Sequence, residues 1–113
     1  MIEVAGINME FRAVETVVDT GFNGSLALPG EIIEDLGLSH QGERRTRLAT
    51  GSGSVPIYGA VAAWFGTLRA VVVHRVEGNP LLGTSLLTNC LLTVDFREGG
   101  EVNVLPHWLP SSG

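Results

Sequence analysis

The sequence predicts a mostly-β domain with two short helices. Three observations carry this expectation. Apolar and polar residues alternate in many short segments. Glycine-containing turns separate those segments at short intervals. Helical patterning is confined to one stretch near residue 30 and one after Gly83. Many short strands joined by glycine turns point to a closed or folded-over sheet.

The chain has 113 residues, which argues for one domain. Its body is expected to span residues 1–105, with a flexible C-terminal tail over 106–113. A chain of this size buries roughly two thirds of the surface its unfolded form exposes, enough for a core without metal or disulfide staples.

The elements read in order. "MIEVAG" alternates and breaks at Gly6-Ile7-Asn8. "MEFRAVETVVDTG" alternates and then turns continuously apolar at Val17-Val18, as a single strand entering the core would. "SLALP" is a short strand stopped at Pro29. "PGEIIEDLGL" places Pro near the start, acids in the first turn and Gly at the end of a short helix. A strand, a hairpin tip at Thr50-Gly51-Ser52-Gly53-Ser54, a long strand, a turn at Phe65-Gly66-Thr67 and a further strand follow. Asn79-Pro80 is a break, after which Thr84 or Ser85 caps a helical turn. "LLTVDFREGGEVNVL" is a closing hairpin turned by Gly99-Gly100.

Composition excludes several classes of function. Net charge is -5, whereas a nucleic-acid binder presents a basic face. Arg44, Arg45 and Arg47 are read as a solvated edge. His40, His74 and His107 are widely spaced and form no metal-ligand pattern, so no metal or cofactor is expected. Cys90 has no pairing partner and sits among apolar residues, as a buried inert thiol would. The opening "MIEVAGINMEF" lacks a basic region followed by a long apolar run, so no signal peptide is read and a cytoplasmic location is expected. No apolar run approaches the ~20 residues of a membrane helix. Charged residues make up only 17%, which suggests that a partner covers some apolar surface.

Asp19-Thr20-Gly21 then stands out, at the mouth of the apolar Val17-Val18 run. A carboxylate there needs hydrogen-bond donors, a cation or a second carboxyl that shares a proton. Two carboxyls about 3 Å apart cannot both ionise, and such a pair acts as base on a water and as acid on a leaving group. The word occurs once. The other aspartates, Asp35 and Asp95, are not followed by a hydroxyl and a glycine. A two-fold homodimer would supply the second carboxyl by placing Asp19 beside its own copy.

"VVDTGFNGSLALP" resembles the active-site strand and loop of the retropepsin-like aspartic proteases, most of all the small single-domain prokaryotic group marked by Asp-Thr-Gly-Phe. "PLLGTSLL", "LATGSGSVPIYGA" and "LLTVDFREGGEVNV" match that family's later apolar-glycine word, flap hairpin and closing strands, in the same order. The resemblance implies a closed acid-protease barrel. It implies an endopeptidase that hydrolyses peptide or protein substrates through a water activated by an Asp dyad across a homodimer. It makes Asp19 the acid/base and Thr20 a hydrogen-bonding partner across the axis. Gly21 is then the residue that lets the loop turn, with Leu82 and Gly83 backing it. It places Phe22, Asn23, Thr50, Gly51, Ser52 and Gly53 along the substrate. The alternative is a non-catalytic peptide- or protein-binding module on the same fold.

Overall fold

The structure, a computed structural model, describes residues 1–48 and 51–108. It is mostly β, with two short helices. The first half of the chain forms β1 (Ile2–Ala5), β2 (Arg12–Val14), β3 (Val17–Val18), β4 (Leu26–Leu28) and α1 (Gly30–Leu36). A long hairpin follows, β5 (Ser39–Leu48) and β6 (Gly51–Trp64), and then β7 (Thr67–Arg75). The chain closes with β8 (Leu81–Leu82), α2 (Thr84–Leu87), β9 (Cys90–Val94) and β10 (Val102–Pro106).

Eight strands form one sheet in the order β2-β1-β6-β7-β4-β8-β3, with β5 joined to β6. The sheet curls like half a barrel, and its end strands β2 and β3 do not pair with each other. β9 and β10 form a separate antiparallel pair.

The core follows from strand position. β4 lies between β7 and β8, and all three of its residues, Leu26, Ala27 and Leu28, are fully buried. A strand flanked on both edges and covered on both faces has to be continuously apolar. Leu86 of α2 and Ile33 and Leu36 of α1 fill the same core. Pro29 enters α1 with extended backbone, and Gly37 ends it in the left-handed conformation that favours glycine.

Three expectations about the elements are corrected. Residues 9–18 form two strands rather than one: β2 pairs antiparallel with β1 (Ile2↔Val14), whereas β3 pairs parallel with β8 (Val17↔Leu81). The different partners split a segment that reads along the sequence as one strand. Gly51–Ser54 belong to β6, facing Leu48–Arg45 across the ladder, rather than to the hairpin tip. The backbone ladder pairs these permissive residues with Leu48–Arg45, Gly51 with the positive φ that glycine allows, and residues 49 and 50 lie outside the described residues. The cap of α2 is Gly83 rather than Thr84 or Ser85, and no side chain caps that helix.

At the C-terminal end, Pro106 belongs to β10 and the His107 N–H donates to the Asn89 carbonyl (2.9 Å). Trp108 meets Phe65 edge to face at 6.3 Å. Cys90 is half-buried rather than buried. Burial pushes its thiol up, against the lowering effects of Arg69 and Trp64. Trp64 ends β6 and is buried against Phe65. Among the described residues, no helix is long and apolar enough to cross a membrane.

Candidate functional site

Asp19 stands where β3 ends. Its N–H donates to the Leu82 carbonyl (2.9 Å), the last rung of the β3–β8 pairing. Its carbonyl accepts the Phe22 N–H (3.1 Å), closing a tight turn over Thr20 and Gly21. Its Oδ1 accepts the Gly21 N–H (2.9 Å). An Asp side chain that bonds the backbone two residues on is a turn-former in its own right. Oδ2 has no hydrogen-bond partner among the described residues. One oxygen is thus anchored, and the other is available to a second group.

The loop that follows is locked by α2. Three successive N–H groups, of Gly83, Thr84 and Ser85, donate to the carbonyls of Ser25, Phe22 and Gly24 at 2.9, 2.9 and 3.1 Å. The first N–H groups of a helix have no partner within it. Here the loop supplies the acceptors, which is why α2 needs no side-chain cap. The Thr84 hydroxyl adds a donor to the Phe22 carbonyl (3.3 Å). Only glycine fits at 83, because a Cβ there would run into the Gly24 carbonyl and the Phe22 ring.

The expected site residues divide into two groups. Asp19, Thr20, Gly21, Phe22 and Asn23 lie together on this loop, with Thr20, Gly21 and Asn23 exposed and Phe22 half-buried. Gly51 and Gly53 lie on β6, with Ser52 between them in register with Arg47. No hydrogen bond joins that end of the hairpin to the loop among the described residues. Thr50 lies outside the described residues.

Both other aspartates are engaged elsewhere. Asp35 accepts from Arg12 (2.9 Å), and Asp95 accepts from Arg97 (2.6 Å). Arg97 also holds the Asp95 carboxyl below the usual carboxylate range. Among the described residues, no cluster of three or more His, Cys, Asp or Glu side chains could hold a metal.

Sequence reading placed His74 in a strand, as a packed or edge histidine, but missed its contact with the loop. It is a buried residue of β7, 8% exposed, and its ring meets Phe22 edge to face at 5.3 Å. A lone histidine in the apolar strand "AVVVHRV" was the available signal. Comparisons with family models, with curated proteins and with solved structures give no match to this chain.

Proposed function

We propose that the chain is a homodimeric aspartic endopeptidase in which Asp19 of each copy supplies one half of a catalytic dyad. The observation that carries this reading is the Asp19 carboxylate itself. It is fixed at a strand end by Gly21, it keeps one oxygen unpartnered, and the chain's other aspartates are bound to arginines.

In this reading the curled sheet is a retropepsin-like acid-protease barrel, closed where β9–β10 comes up against β3. Val17 and Val18 already share a cavity of about 390 Å³ with Val102–Val104. Dimerisation brings two carboxyls within about 3 Å, so that one proton is shared between them. The ionised oxygen takes a proton from a water as it attacks the peptide carbonyl, and the protonated partner delivers one to the leaving amine. No covalent intermediate is formed. Thr20, whose hydroxyl is exposed, bonds across the axis. The β5–β6 hairpin covers an extended substrate and pairs with its backbone. Phe22 and Asn23 line the groove beneath.

Exposed apolar surface supports the dimer. Leu91 and Leu105 face each other across the β9–β10 ladder and are 51% and 59% exposed. Val17, beside the acid, is 52% exposed.

The test is Asp19→Asn against wild type, with a broad peptide library at mildly acid pH. Cleavage by wild type alone is expected. Equal turnover by both forms would reject the proposal. Peptide binding by both, with no fragments from either, would favour the non-catalytic binding module.

A further inference from the structure

His74 is the buried polar side chain closest to the loop that the mechanism above does not use. Its Nδ1 is buried and has no hydrogen-bond partner among the described residues. A nitrogen left so is unfavourable, and a valine, as at Val71 and Val73 of the same strand, would avoid it. Packing alone therefore gives no reason for a histidine here.

Its contacts lead to the acid. The ring stands at 88° to Phe22, and its Cε1 lies 2.9 Å from where a Cβ on Gly24 would be. Phe22 in turn closes the turn onto Asp19 through its N–H, and its carbonyl receives the N–H and hydroxyl of Thr84. A chain of contacts thus runs from His74 through Phe22 to Asp19.

We propose that His74 is a positioning residue: its neutral ring holds Phe22, and through Phe22 it fixes the turn that carries Asp19. The proposal rests on reading Asp19 as the acid of the site. The surroundings keep the ring neutral. Burial lowers its affinity for a proton and the positive charge of Arg44 on β5 lowers it further, outweighing the backbone of Leu26, which raises it. The residues that face it from β4 and β6 are Ala27 and Ile57, neither of them charged. On the loop, Asp19 is the titratable group. Arg75, next along β7, directs its guanidinium to Gly30 at the start of α1. Protonation would put a positive charge on a buried ring that Arg44 disfavours, and would change how the ring meets Phe22.

The test combines kinetics with a readout that needs no turnover. In an NMR titration of the wild-type protein, the amides of Gly21, Phe22, Asn23 and Gly24 are expected to shift with the same midpoint as the His74 imidazole. In His74→Phe that transition disappears. With peptide substrate, His74→Ala is expected to lower kcat by about tenfold or more, as small displacements of a catalytic group do, while KM changes little. His74→Phe, which keeps a ring against Phe22, restores most of kcat and moves the acid limb of the pH profile to lower pH. Loop amides that ignore the His74 titration would overturn the proposal. So would equal kcat losses in His74→Ala and His74→Phe. A shared NMR midpoint without cleavage by wild type would uphold the positioning role and reject the protease reading.

Discussion

The Gly21 N–H donates to Asp19 Oδ1 at 2.9 Å, in the turn that directly follows the parallel β3–β8 pair. This bond turns the carboxylate back over its own loop and leaves the other oxygen unpartnered. The loop cannot drift, because the N–H groups of Gly83, Thr84 and Ser85 hold its carbonyls.

Gly83→Ala tests that lock. The new methyl would meet the Gly24 carbonyl and the Phe22 ring, so either the loop or α2 has to shift. Overpacking of this kind costs about 1–3 kcal/mol. Thermal unfolding should show a Tm lower by about 4 °C or more. An unchanged Tm would show that the two segments are not in contact.

Stability should fall as pH drops below about 6.5, the ordinary histidine value. Folding lowers the affinity of His74 for a proton. Above that pH, histidine is neutral in both states. Below it, the unfolded chain binds a proton that the folded chain refuses, and stability is lost until the folded ring also protonates. Asp95, held low by Arg97, adds a separate loss below about pH 3.8. Urea midpoints at pH 7.5 and 5.5 should differ more for wild type than for His74→Phe. Equal differences would mean that His74 titrates alike in both states.

Much of this was legible in the sequence, but only where the determinants are local. Pro29 and Gly37 bracket α1 because helix ends are set by their own residues. Asp19-Thr20-Gly21 announced a tight turn because the acceptor and donor are two residues apart. The break at Glu15-Thr16 was invisible, since it reflects pairing with β1 on one side and with β8 on the other. The resemblance put Gly83 behind the loop, but why only glycine fits there was hidden for the same reason, because the atoms that exclude a side chain belong to Phe22 and Gly24. The His74–Phe22 contact joins residues far apart in the chain, and alternation along one strand carries no record of it.

Leu105→Lys probes the dimer. A charge on the outer face of β9–β10, opposite Leu91, would be buried unpaired in a two-fold interface. Sedimentation equilibrium at micromolar concentration should find wild type as a dimer and the variant as a monomer. A monomeric wild type would remove the basis for a shared dyad.

The most direct test mixes wild type with Asp19→Asn in equal amounts, lets the subunits exchange, and measures peptide cleavage at mildly acid pH. If both carboxyls of a two-fold pair are needed, random pairing leaves about one quarter of the activity of the same total amount of wild type. Retention of one half would mean that each Asp19 works alone, and would contradict a dyad shared between subunits.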